Sequence, residues 1–154
     1  MISKDILWKG ILEDIFDDFL RYMIPNAEEI IDFEKGFVFL DKELNELFSA
    51  DENAGTAHVD KLVQVYAKSG EEEWILVHVE VQGYYDNTFA RRMFRYFTRI
   101  FEKYNKPVTA FAIFTDNQPG FFPSVYEYDF VGTRLTYKYN IFKVLEQARH
   151  LTPN

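Results

Sequence analysis

Residues 58–82 read HVDKLVQVYAKSGEEEWILVHVEVQ. Two runs rich in Val, Leu, Ile and aromatic residues, 58–67 and 74–82, flank the turn-forming SGEEE segment. That pattern predicts a β-hairpin. With the turn centred on Gly70, paired residue numbers sum to about 140, so Asp60 lies opposite Glu80 or within one residue of it. Side chains alternate along a strand. Trp74, Leu76, His78, Glu80 and Gln82 therefore share one face, and Ile75, Val77, Val79 and Val81 the other. A carboxylate and an amide set into such an apolar run call for a reason.

The chain around the hairpin supplies further elements. Residues 3–24 carry Trp8, Leu12, Ile15, Phe16, Phe19, Leu20 and Met23 at helical spacing, with Ser3 as a cap and Pro25 as the stop. Phe37–Leu40 reads as a short strand and Asp41–Phe48 as a short helix capped by Asp41. DENAGT, residues 51–56, is a loop. Residues 87–105 form a second long helix, with Asn87 as its cap and Phe89, Met93, Tyr96, Phe97, Ile100 and Tyr104 inward. VTAFAIFT, residues 108–115, is a continuous apolar run typical of a central strand covered on both faces. Residues 125–131 and 134–139 read as two more strands, and 141–150 as the start of a helix. The order predicts an α/β domain, a mixed β-sheet flanked by helices, spanning 1–154 as one unit.

Composition agrees with one packed core. The chain has 154 residues, 47% hydrophobic and 18% aromatic, which excludes disorder. No apolar run reaches the roughly 20 residues of a membrane helix. The opening MISKDILWKGILED meets acids too early for a secretory signal peptide. Cysteine is absent, which excludes disulfides and thiolate chemistry. A cytoplasmic protein with no membrane partner is expected. The formal charge of −8 disfavours broad, non-specific nucleic-acid binding. The bases are gathered, however, at Arg91, Arg92, Arg95, Arg99 and Lys103, so one basic face can coexist with the acidic total.

Two carboxylates on neighbouring strands, Asp60 and Glu80, could hold a divalent cation. Mg²⁺ takes hard oxygen ligands and keeps several waters, so two carboxylates and a substrate phosphate suffice. Such an ion generates hydroxide and stabilises charge on a scissile phosphate. Gln82, on the same face, could orient a water or a phosphate oxygen, but its neutral amide is no general base. The spacing equally fits exposed cross-strand polar residues at a sheet edge. Arg91, Arg95 and Arg99 share one helix face with Arg92 and Tyr96 beside it, for phosphate contact or as a solvated face pairing with local acids. His78, on the face of Glu80, could be a ligand or base, but reads first as a half-buried, hydrogen-bonded histidine. Tyr84, Tyr85, Phe121 and Phe122 could stack bases or pack the core.

The segment from Val59 to Tyr104 resembles the PD-(D/E)XK nuclease superfamily, and more narrowly its recombination-promoting nuclease and transposase (Rpn-like) family. Asp5 to Lys9 is similar to that family's D-x-x-W-K opening, Val59-Asp60-Lys61-Leu62 to its first metal-ligand strand, and Glu80-Val81-Gln82 to its E-x-Q form of the superfamily's E-x-K. Arg92 and Tyr96 match its R-x-x-x-Y helix, and Phe114-Thr115-Asp116 and Tyr126-Glu127-Tyr128 extend the likeness. The order and spacing of these motifs carry it. The resemblance implies a restriction-endonuclease-like core and DNA cleavage with Mg²⁺ or Mn²⁺. Asp60, Glu80 and Gln82 would be catalytic, with Gln82 in the place of the superfamily lysine. Asp60 and Glu80 would hold the metal, completed by a first-helix acid, Glu13 or Asp14, with Glu13 preferred. Arg92, Tyr96, Arg95 and Lys61 would meet DNA, although Lys61 points to the opposite strand face from Asp60. DNA is the implied partner, with a homodimer open, and a C-terminal extension of the family is expected to be missing. The competing expectation is an inactive nuclease fold that binds DNA or a protein.

Overall fold

The computed structural model describes the backbone of residues 4–48, 59–69, 74–83 and 85–144, and the side chains of 10–47, 61–69, 75–83 and 85–144. Helix α1 (Lys4–Met23) leads through a short α2 (Ala27–Ile30) and a 3₁₀ turn to strand β1 (Val38–Phe39) and helix α3 (Asp41–Phe48). The hairpin follows as β2 (Val59–Tyr66) and β3 (Trp74–Gln82). Helix α4 (Phe89–Tyr104) then returns the chain to β4 (Val108–Phe114). The last strands are β5 (Val125–Phe130), β6 (Thr133–Lys138) and β7 (Asn140–Lys143). The expected loop at 51–56, the turn residues Gly70–Glu73 and the cap Ser3 lie outside the described residues.

Five strands form one mixed sheet in the order β1-β2-β3-β4-β7. The β1–β2 and β2–β3 pairs are antiparallel, whereas β3–β4 and β4–β7 are parallel. The expected α/β architecture is therefore present. The hairpin register is Asp60↔Glu80, flanked by Val59↔Val81 and Lys61↔Val79. Residue numbers pair at a sum of 140, in the middle of the expected range.

Alternation divides the sheet into two faces. On one, Leu12, Phe16 and Leu20 of α1 are buried against Val63, Val65, Val77, Val79, Val81, Phe111 and Ile113. Their spacing of four residues makes a single apolar stripe, and each fully buried side chain stabilises the fold by about 1.5–3 kcal/mol. Ile15, expected inward, has non-helical φ/ψ (−120°, 23°) and is exposed, so α1 kinks there. On the other face, Phe89, Met93, Tyr96 and Ile100 turn α4 toward the sheet. Beneath it β4 presents Ala110 and Ala112 opposite His78 and Glu80 of β3, and Phe114 at the end of the strand packs on Phe89. The two alanines let α4 approach closely.

Three expectations change. Residues 141–150 were expected to open a helix, but Asn140–Lys143 is a strand lying parallel on the free edge of β4, from Phe111↔Asn140 to Phe114↔Lys143. Ile141 packs on the α4 side and Phe142 on the α1 side, so a strand buries both, and residues 145–150 lie outside the described residues. Lys143 is buried with its Nζ 2.7 Å from Asp116 Oδ1 and 2.8 Å from the Phe121 carbonyl, a tether that favours the edge position. Second, β5 and β6 pair with each other alone and form a separate hairpin. They cover the outer side of α4, where Phe94 stacks on Tyr126 and Phe97 on Tyr137. Third, the cap position of α4 is Thr88 rather than Asn87, and its N–H donates to Asp86 Oδ1 at 2.9 Å. Among the described residues no helix is long and apolar enough to cross a membrane.

The Asp116–Lys143 pair gives a test of the edge strand. Both side chains are almost completely buried, so removing one strands the other's charge, at a cost of about 3–5 kcal/mol. Asp116→Ala should lower the urea midpoint accordingly, and the double change Asp116→Leu with Lys143→Met should recover most of the loss.

Candidate functional site

The α4 face of β3 carries, in order, Leu76, His78, Glu80 and Gln82, all of them buried. Leu76 belongs to an apolar cluster with Leu44, Leu62, Tyr96 and Ile100. The next three positions are polar, and they meet α4 through one residue. Arg92 Nε donates to Glu80 Oε1 at 3.0 Å, Nη2 to Gln82 Oε1 at 2.8 Å, and Nη1 to Asp86 Oδ2 at 2.5 Å. The guanidinium has a rigid fork of five donors. Here three acceptors, two on β3 and one on the β3–α4 loop, fix its position.

Charge balance in this face is governed by burial. Glu80 is 0% exposed, and burial pushes its carboxyl up to about 7, an effect that the neighbouring Arg92 only partly offsets. Burial on its own would lower the Arg92 pKa, but Glu80 and Asp86 outweigh it and raise the guanidinium above its ordinary value. Asp86 is lowered overall: burial raises it, and the hydrogen bonds from Thr88 and Arg92 more than compensate. His78 is completely buried, with its ring edge-on to Tyr96 at 5.4 Å. Neither of its nitrogens has a hydrogen-bond partner among the described residues, so burial drives it down to about 3. The expected half-buried, hydrogen-bonded histidine is thus a neutral ring inside the core. Nearby Tyr137 and Tyr139 also lack a hydroxyl partner among the described residues, and burial, with the Glu80 carboxylate adding to it, raises both phenols.

The expected site residues separate into two groups. Asp60 pairs directly with Glu80 across the hairpin, which puts it on the face of Glu80 and Gln82; its side chain lies outside the described ones. Glu13 is on the α1 side, where its Oε1 lies 2.5 Å from Lys61 Nζ. Lys61 is 1% exposed and also bonds Asp41 Oδ2 at 2.9 Å. The sheet therefore stands between Glu13 and Glu80, and the two are not brought together. Asp14 is exposed on the same helix. Of the four residues expected to meet DNA, Arg95 alone is exposed. Lys61 is enclosed by carboxylates, Tyr96 packs against His78, and Arg92 is held between β3 and its loop.

Two participants were not anticipated. Asp86 completes the hold on Arg92; its one signal was an acid just before a helix that bears an arginine six positions later. Asp41, expected as a helix cap, instead has its carboxylate on β2, accepting from Lys61 Nζ and from the Leu62 N–H at 3.2 Å.

A family model described as "Putative transposase, YhgA-like" matches residues 5–111. The match covers most of the chain, from α1 into β4, and the chain belongs to that family. No curated protein and no solved structure matches it.

The buried titrating groups set opposite pH limbs in the metal-free protein. His78 has a folded pKa below its unfolded value of 6.5, so its contribution is complete above pH 6.5 and is lost as pH falls toward 3. Glu80 has a folded pKa above its model value of 4.5, so stability falls as pH rises from 4.5 through 7. Each limb has a slope of at most about 1.4 kcal/mol per pH unit. The two oppose each other between pH 4.5 and 6.5. Urea titrations across pH should show His78→Leu flattening the limb below 4.5 and Glu80→Gln removing the decline toward 7. Arg92→Leu should cost up to about 3–5 kcal/mol at pH 8, where Glu80 must either stay charged in the core or take up a proton, and clearly less at pH 5, where Glu80 already holds its proton.

Proposed function

We propose that this member of the YhgA-like transposase family acts on DNA in transposition or recombination, as a metal-dependent endonuclease hydrolysing phosphodiester bonds. One observation carries the reading: the direct Asp60↔Glu80 pairing, with Gln82 on the same face and Arg92 bridging Glu80 to Gln82. It puts two hard oxygen donors, an amide and a guanidinium on one face, which are the residue types phosphoryl chemistry uses.

The donor set fits a divalent cation as a two-carboxylate site. Among the described side chains no group of three or more His, Asp or Glu is gathered that could hold a metal ion, and Glu13 is committed to Lys61. Two carboxylates still meet the usual Mg²⁺ requirement, since the ion fills its remaining positions with water and substrate oxygen. Asp60 and Glu80 would hold Mg²⁺ or Mn²⁺, which when bound supplies Lewis acidity toward a phosphate and a more acidic water. Arg92 keeps the Glu80 carboxylate oriented and compensated. Gln82 fixes Arg92 through its Oε1. The position that the wider superfamily gives to lysine is thus a neutral amide, while the permanent charge comes from α4.

A second reading is an inactive nuclease fold that binds DNA or protein. It is favoured by the complete burial of Glu80 and by Arg92 already neutralising it. Supercoiled plasmid separates the two. Under the endonuclease reading, the protein nicks or linearises plasmid with Mg²⁺ or Mn²⁺, and Asp60→Ala and Glu80→Ala each lower the rate by at least about 100-fold. Cleavage that survives both substitutions overturns the site. A folded protein that neither cleaves nor binds metal supports the second reading.

A further inference from the structure

A pocket of about 350 Å³ opens beside the candidate site, lined by Tyr85, Asp86 and Asn87 of the β3–α4 loop, Ala90 of α4, and residues 120–123 of the β4–β5 loop. That volume falls within the usual range for small-ligand sites. Its walls are aromatic: Tyr85 packs on Phe121 with ring centroids 5.0 Å apart, and Phe122 and Pro123 continue the surface. Tyr85 is 63% exposed and Phe122 46%, although each is a large ring that a core would have used. Ala90 and Gly120 are the small members of the lining, which leaves room beside the rings. Asp86 and Asn87 form a polar edge.

We infer that this pocket binds an unpaired nucleobase of the DNA strand at the Asp60–Glu80 face. A pocket with aromatic walls and one hydrogen-bonding edge suits a planar heteroaromatic ring, whose faces stack while its rim bonds. The pocket is joined to the candidate site through one guanidinium, since the Asp86 in its wall holds the Arg92 that holds Glu80 and Gln82. That same pairing compensates the charge of Asp86, so the polar edge does not repel a nucleotide as an isolated carboxylate would. Arg91, exposed next to Ala90 and four residues beyond Asn87, is a cation near the pocket for a backbone phosphate. A base can enter only when unpaired, so the pocket selects single-stranded or locally opened DNA over intact duplex. The inference rests on the DNA-acting reading and adds to it the state of the substrate.

The test uses the full chain with Asp60→Ala, to prevent cleavage, and short single-stranded oligonucleotides. Fluorescence anisotropy compares an ordinary oligonucleotide with one made of abasic units, and a 2-aminopurine oligonucleotide reports stacking directly by quenching. Tyr85→Ala and Phe122→Ala remove exposed rings. Gly120→Leu adds bulk to the lining without backbone strain: its backbone is not left-handed, and a Cβ there meets nothing within 4 Å. Each change should weaken binding about 10-fold, within the range for one lost stacking partner, and abolish the quench, with unchanged thermal melting. Abasic DNA should bind the parent as weakly as ordinary DNA binds the variants. Binding that ignores both the bases and the three substitutions overturns the pocket and leaves the nuclease reading standing. No binding of any DNA overturns both.

Discussion

A carboxylate with no solvent exposure lies in the middle of the sheet, and Arg92 is what allows it to be there. Glu80 is covered by α4 and flanked by His78 and Gln82. An ionised acid in such a place costs several kcal/mol unless it is matched by charge and hydrogen bonds. Arg92 supplies both, and because its other nitrogens reach Gln82 and Asp86, it also fixes α4 and the β3–α4 loop relative to β3. Lysine could not replace it. One ammonium is a point charge, whereas the planar fork addresses three acceptors at separate angles.

The same device recurs twice. Lys61, buried on the opposite face, ties α1 through Glu13 and the start of α3 through Asp41 to β2. Lys143, buried at the end of β7, ties the edge strand to Asp116 and to the Phe121 carbonyl. In each case one buried cation joins elements far apart in sequence. Apolar packing alone tolerates sliding of helix on sheet, because hydrophobic contact is non-directional. Buried pairs do not tolerate it, since a shift of an ångström or two strands a charge. They contribute little net stability against a well-packed apolar alternative, but they select one arrangement. Several of the carboxylates in this acidic chain are therefore internal counter-ions, and its net charge understates how its surface can differ from place to place.

The hairpin and its register were legible because alternation and a short turn leave few ways to pair, and a slip by one residue would have turned Val77, Val79 and Val81 away from α1. The long helices and the central strand were legible from period alone. The final strand was not: Ile141, Phe142 and Val144 fit a helix as well as a strand, and the choice was made by a free edge on β4 and by Asp116, both distant in sequence. The candidate site was half legible. Spacing placed Asp60, Glu80 and Gln82 on one face, yet it could not tell an exposed face from one roofed by a helix. Two alanines at Ala110 and Ala112 decide that, by letting α4 settle. Glu13 was misplaced for a related reason. Position along α1 says which acid is near the sheet, and the alternation of Lys61 says which face it serves, but only the packed structure shows that the two meet.

Burial of the Glu80 face also bears on what can bind there. Glu80 and Asp86, both held by Arg92, carry two formal negative charges when ionised, and Arg92 carries one positive charge. The remainder is one negative charge in a region of low dielectric, where uncompensated charge is expensive. Burial pushes the Glu80 carboxyl up to about 7 against the opposing pull of Arg92, so protonation lowers that cost. A divalent cation would remove the remainder and let Glu80 ionise fully. Arg92 alone is one charge short of balancing Glu80 and Asp86, and the proton that Glu80 takes up near pH 7 closes the difference. On this argument Arg92 carries the part of the charge balance that does not change with pH, and the Glu80 carboxyl carries the part that does.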